Sequence, residues 1–148
     1  MDDSTIRSAW SGTRLGKPRV GAVVERRRVT RAADIVAFTE MTGDRNPLHY
    51  DEGLAACTVF GRLIVQGGVT SGLLNALVAE DLPGPGSVFL SVEWKFVKAV
   101  GVGEEIVARA EVLEVRDDKP ICKLATTIVN AAGEPCLTGT ATTYTVPL

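Results

Sequence analysis

Histidine is almost absent from this chain: His49 is the only one in 148 residues. Imidazole is the one side chain that titrates near neutrality unaided, so acid–base chemistry has a single obvious histidine carrier here. Cysteine is scarce as well. Cys57, Cys122 and Cys136 make an odd count with no CxxC spacing, which argues against a disulfide frame or a zinc site. They read as small buried hydrophobes in a reducing compartment. No apolar run reaches the ~18 residues of a membrane span, so no membrane partner is expected. Excess positive charge is missing too: a net charge of −2 and a pI near 5.4 give no field to recruit nucleic acid. The sequence has no nucleotide-binding glycine loop and no metal-spaced ligand set, and neither a cofactor nor a metal is expected. Internal repeats and low-complexity segments are absent. The start, Met1-Asp2-Asp3-Ser4-Thr5, lacks the basic and apolar regions of a signal peptide, and the expected address is cytoplasmic.

What remains is ordinary for a globular protein, with 45% hydrophobic and 23% charged residues, and the length suits one domain. Residues 1–20, with Trp10, glycines and scattered charges, read as an arm ahead of a domain spanning 21–148. A first strand is predicted over 21–30. Thr30 is the expected cap of a helix carrying Ile35, Val36, Phe38 and Met41, which Gly43 ends. Asp51 can cap a short helix over 52–57. Residues 64–82 are small or apolar on nearly all sides, the pattern of a buried core helix, and Pro83-Gly84-Pro85-Gly86 stops it.

Beyond it the period changes to two. Residues 88–97, 105–115, 120–130 and 136–146 are rich in valine, isoleucine, threonine and aromatics, with turn-like separators. Four consecutive strands joined by short turns predict an antiparallel meander. With the first strand, that makes an α+β domain of about five strands around one buried helix. Its open edges suggest pairing with a second subunit. Trp94 and Phe96 flank Lys95 and are expected in the core or an interface. Glu93, Glu104 and Glu105 are expected to face solvent. The run Arg26-Arg27-Arg28 reads as a solvated strand face, with contact to the phosphates of an anionic ligand as the sharper alternative.

The chemistry concentrates in Thr42-Gly43-Asp44-Arg45-Asn46-Pro47-Leu48-His49. On an unbroken helix, residues five apart are rotated by roughly 140° and cannot share a target. Proline disfavours the helical conformation at Asn46 and removes a backbone donor. The segment should therefore turn sharply and let Asp44 meet His49. The bland alternatives are a partly buried turn histidine and an Asx-turn aspartate, and the second is compatible with catalysis.

The run Phe38-Thr39-Glu40-Met41-Thr42-Gly43-Asp44-Arg45-Asn46-Pro47-Leu48-His49, followed by Ala55-Ala56, resembles the signature of the (R)-specific enoyl-CoA hydratases, the MaoC-like dehydratases of the hot dog fold. The likeness continues in Ile64-Val65-Gln66-Gly67, in 82–87 and in Asp117-Asp118-Lys119-Pro120. It implies a hot dog domain in which Asp44 and His49 hold a water and move its protons. That water adds to C3 of a trans-2-enoyl-CoA, giving an (R)-3-hydroxyacyl-CoA. The resemblance further implies that the Gly67 backbone N–H meets the thioester oxygen, that Asn46 orients the loop or the reacting groups, and that Asn75, where a relative has a pocket-lining serine, is a candidate contact for the acyl chain. Gln66, where the family usually has histidine before this glycine, is expected with it among the substrate-binding residues; where methionine commonly follows, the chain has Gly68. The implied partners are an acyl-CoA thioester and a second copy of the chain, as a homodimer or dimer of dimers. Alternatives are dehydration of (R)-3-hydroxyacyl groups on acyl carrier protein, or a non-hydrating hot dog thioesterase or thioester-binding subunit.

Overall fold

Residues 105–145 alternate apolar and polar side chains, and the centre of a sheet is built from them. The computed structural model describes residues 8–148, so the acidic start and the first part of the expected arm lie outside the described residues. In chain order the elements are β1 (Val23–Val29), α1 (Ala32–Thr42), a 3-10 turn (Pro47–His49), α2 (Glu52–Ala56), α3 (Gly67–Glu80), β2 (Ser87–Phe96), β3 (Glu105–Val115), β4 (Ile121–Asn130) and β5 (Pro135–Thr145). The five strands form one antiparallel sheet in the order β1-β3-β4-β5-β2, left open, with β1 and β2 as its edges.

Only three of the four late strands form the expected meander. β2 pairs with β5 rather than with β3, from Ser87 opposite Thr145 to Phe96 opposite Leu137. The reason lies in residues 97–104, which act as a crossover and not as a hairpin turn. This stretch is pinned to other parts of the chain: Val65 N–H donates to the Val100 carbonyl at 2.9 Å, and Ile64 bridges Gly101.

α3 lies across the sheet and buries Thr70, Leu74, Leu77 and Val78. Leu74 and Leu77 pack with Ile35, Ile106, Ala108, Ile128 and Leu137 to form the main core. Burial is one-sided, unlike the all-round burial expected, because Gly67, Gly72 and Asn75 on other faces stay exposed. Glycine and serine raise the apolar look of the segment without supplying volume to bury. A second cluster gathers Val78, Leu82, Val112, Cys122 and Leu124 around Trp10, which is 2% exposed. Residues 8–20 carry no helix or strand, and the Trp10 indole N–H donates to the Arg116 carbonyl at 2.9 Å.

Three smaller expectations change. Arg31, not Thr30, occupies the cap of α1, and the Asp34 carboxylate accepts the Arg31 backbone N–H at 3.0 Å. Thr30 is fully buried, so its hydroxyl must find a partner inside, and it donates to the Gly101 carbonyl at 2.6 Å. Glu104 is drawn inward: its carboxylate accepts the Gly101 N–H at 2.9 Å and pairs with Arg62 at 2.7 Å. Cys57 is exposed at the end of α2, while Cys122 and Cys136 are buried as expected. Burial pushes the Cys122 thiol up to about 12, well away from a reactive thiolate at neutral pH.

The arginine run sits on edge strand β1, and each guanidinium meets a carboxylate of the same chain. Arg26 pairs with Asp81 at 2.9 Å, Arg27 with Glu105 at 3.2 Å, and Arg28 with Asp34. Arg28 in turn holds the Asp34 carboxyl below the usual carboxylate range. These contacts favour the reading of a solvated face over one of a phosphate site.

Candidate functional site

α1 ends at Gly43, whose φ of +84° is a left-handed conformation that glycine adopts at no steric cost. The chain then leaves the helix axis and enters the Asp44–His49 segment. Asp44 Oδ1 accepts the Asn46 backbone N–H at 3.0 Å, an Asx turn. Asn46 caps the 3-10 turn, its side-chain oxygen accepting the Leu48 N–H at 3.2 Å, with Pro47 as the first residue of that turn. Both short polar side chains thus bond forward along the backbone, which bends the segment back on itself.

The bend brings Asp44 and His49 together. Asp44 Oδ2 lies 3.8 Å from His49 Nε2, too far for a direct hydrogen bond. The two side chains differ in exposure, 8% for His49 and 37% for Asp44. His49 Nδ1 is 2.7 Å from the Ile64 carbonyl oxygen. A carbonyl can only accept, so Nδ1 carries the proton and donates. In the neutral ring Nε2 is therefore an unprotonated acceptor turned toward the carboxylate.

His49 also lines a cavity of about 420 Å³ together with Asn46, Gly67, Thr70 and Phe96. Gly67 is the first residue of α3, where the N–H has no intrahelical acceptor and the helix dipole is positive. A Cβ at Gly67 would approach the Phe96 ring to 3.3 Å, so the missing side chain keeps this corner open. Asp44 is not part of the cavity lining and reaches it through His49. A larger cavity of about 640 Å³ lies against His49 as well, among Ile35, Val36, Tyr50, Arg62 and Val102.

The other expected site residues fall elsewhere. Asn75 lines a separate cavity of about 390 Å³ with Gly68, Ser71, Phe89 and Trp94. Gln66 lines none of these cavities. It is 2% exposed and holds α1, its Nε2 donating to the Ile35 carbonyl at 3.1 Å and to Thr39 Oγ1 at 3.3 Å. Gly68 has a packing reason, since a Cβ there would fall 2.2 Å from the Phe38 ring. Among the described residues, no three His, Cys, Asp or Glu side chains cluster in a way that would hold a metal ion.

Sequence reading missed the Ile64 carbonyl that sets the His49 tautomer, and it missed Thr39 and Tyr50. A backbone carbonyl has no residue signature, and Thr39, though inside the run that carries the resemblance, has no role implied for it there.

A five-stranded antiparallel sheet laid against one long helix, with a polar turn packed at the start of that helix, defines a hot dog domain. The chain belongs to the MaoC like domain family, which matches residues 16–132. It is 42% identical over 110 residues to an (R)-specific enoyl-CoA hydratase of Aeromonas caviae, covering 74% of this chain and 82% of that protein. It is 41% identical over 96 residues to a 3-hydroxybutyryl-CoA dehydratase of Methylorubrum extorquens, covering 65% of this chain and 61% of that one. Among solved structures, an (R)-hydratase from A. caviae involved in PHA biosynthesis superposes with a TM-score of 0.83. It has 37% identity and covers 87% of this chain and 98% of its own.

Proposed function

We propose that this protein is a hydro-lyase that adds water reversibly to trans-2-enoyl-CoA, giving (R)-3-hydroxyacyl-CoA. The observation that carries this reading is the pair of acceptors, Asp44 Oδ2 and His49 Nε2, 3.8 Å apart beside the cavity that Gly67 lines. One water directing a hydrogen at each acceptor would be held and oriented by them. Asp44 takes a proton as the water oxygen bonds to C3. The electron pair of the C2–C3 double bond moves toward the thioester, and negative charge develops on its carbonyl oxygen. The Gly67 N–H at the positive end of α3 is the donor aimed at that charge. A proton from the Asp44–His49 pair then reaches C2, and the sum is addition of one water. Asn46 supports the turn that holds both groups. Asn75, in its separate cavity, is a candidate contact for the acyl chain.

We also read the active form as a homodimer. β2 is an edge strand whose Val88, Leu90, Val92 and Phe96 side chains are exposed. An open edge carrying such a row pairs readily with a second copy. Sedimentation equilibrium should give twice the chain mass, and a monomer at micromolar concentration removes this part of the reading.

The direct test is loss of the enoyl-thioester ultraviolet absorbance on adding purified protein to crotonyl-CoA and 2-hexenoyl-CoA, with chiral analysis of the product. Loss of absorbance giving the (R)-alcohol is expected. Release of free thiol would instead mark a thioesterase. No reaction with any CoA substrate, but turnover on the carrier-protein thioester, would move the assignment to the acyl-carrier dehydratase.

A further inference from the structure

Behind the Asp44 turn, the side chains of Thr39, Tyr50 and Gln66 meet at the Thr39 hydroxyl. Thr39, 3% exposed, places its Oγ1 2.6 Å from the Asp44 carbonyl oxygen. The Tyr50 hydroxyl contacts Thr39 Oγ1, and Gln66 Nε2 lies 3.3 Å from Thr39 Oγ1. The donor directions follow by elimination. The Asp44 carbonyl can only accept, so Thr39 spends its one hydrogen there. Tyr50 must then donate to Thr39. The Gln66 amide is oriented by a second carbonyl, that of Ile35 at 3.1 Å, so its nitrogen faces Thr39 and donates as well. Thr39 Oγ1 thereby gives one hydrogen bond and accepts two, which fills its capacity.

The location gives this network its meaning. Asp44 follows Gly43, which sits at a φ of +84° and supplies little restraint of its own. Thr39 restrains it twice: its carbonyl accepts the Gly43 N–H at 2.7 Å, and its hydroxyl holds the Asp44 carbonyl. Gln66 immediately precedes Gly67, so the same hydroxyl is tied to the start of α3. Tyr50 ties it to the residue after His49. Asp44 is thus one hydrogen bond from Thr39, and His49 and Gly67 are each one hydrogen bond and one residue away.

We propose that Thr39 is a positioning residue, which sets the Asp44 carboxylate against His49 Nε2 and fixes both relative to Gly67 through Gln66. Its kinetic consequence rests on the hydratase reading; its structural consequence does not. Thr39→Val keeps the shape and removes the hydroxyl. It should lower kcat on crotonyl-CoA by ~10-fold or more while changing KM by no more than ~2-fold, because misplacing a reacting group by a fraction of an ångström acts on the chemical step. Thr39→Ser, which restores the hydroxyl, should recover most of the loss.

A second readout needs no substrate. His49 is the only histidine, so its ring nitrogen resonances at fixed pH report on the neighbouring carboxylate without overlap. They should move in Thr39→Val in the direction they move in Asp44→Asn, and stay near wild type in Thr39→Ser. Wild-type kcat in Thr39→Val, or a Thr39→Ser enzyme as impaired as Thr39→Val, overturns the proposal. If the wild-type protein hydrates no enoyl thioester, the functional reading fails alone, and unchanged His49 resonances in Thr39→Val would then overturn the positioning role. If Thr39→Val does not fold, the half-exposed Tyr50→Phe variant carries the test. It should give the same direction of resonance shift and a ~3-fold lower kcat, and no change in either overturns the proposal.

Discussion

Asp44→Asn and His49→Gln are each expected to lower kcat for enoyl-CoA hydration by at least ~100-fold while leaving the fold intact, because each removes a proton-transfer partner. The expectation of an intact fold comes from the contacts these side chains make. Asp44 Oδ1 accepts one backbone N–H, from Asn46, and an asparagine oxygen can accept the same bond. The Asp44→Asn variant would still form the Asx turn but would offer water a poor base. His49 donates from Nδ1 to the Ile64 carbonyl, a role that a glutamine amide can approximate. What glutamine lacks is the unprotonated ring nitrogen facing Asp44. The double variant should fall little below the worse single one, because two groups acting on one water work as a unit. Unchanged thermal melts would separate chemistry from folding. Near-normal turnover in a folded single variant would remove that residue from the mechanism.

The second large effect is structural. Gly139→Ala should lower the melting temperature by about 6–12 °C, which corresponds to roughly 3 kcal/mol for a chain of this size. Gly139 lies in β5 opposite Trp94 of β2, at a φ of +150° that side chains rarely adopt. A Cβ there would lie 1.8 Å from the Glu93 carbonyl oxygen, which is backbone and cannot rotate away. Relief requires β2 to separate from β5, and with β2 go the Phe96 ring beside Gly67 and the exposed edge proposed for dimerisation. Gly72→Ala is the control: nothing lies within 4 Å of the added carbon, and its helical setting favours alanine. Differential scanning calorimetry of the two variants decides the point. A Gly139→Ala protein as stable as wild type would show that the β2–β5 pairing gives way easily.

Much of this was legible in advance for identifiable reasons. Strand β3 matches its predicted span because Ile106, Ala108, Ala110 and Val112 alternate inward without interruption. The stop at Gly43, the cap at Asp51 and the bend at Asn46-Pro47 depend on interactions within a few residues, which local sequence contains. The same holds for the family: its motif is contiguous, and matched positions run through most of the chain. The misplaced cap at Thr30 came from the same kind of reasoning, defeated by a partner, Gly101, that lies far along the chain.

Sequence by itself therefore determined the elements, the α+β class, the family and the turn that brings Asp44 toward His49. Each follows from side-chain periodicity, backbone preferences of glycine and proline, or hydrogen bonds spanning a few residues. Tertiary structure alone decided that β2 crosses to the far edge beside β5. It also decided that Ile64 sets the His49 tautomer and that Gln66 serves α1 and Thr39 instead of lining the cavity. Those outcomes depend on which carbonyl or hydroxyl a distant segment presents to a buried donor. Burial makes each such pairing obligatory, but only the packed fold specifies the partner.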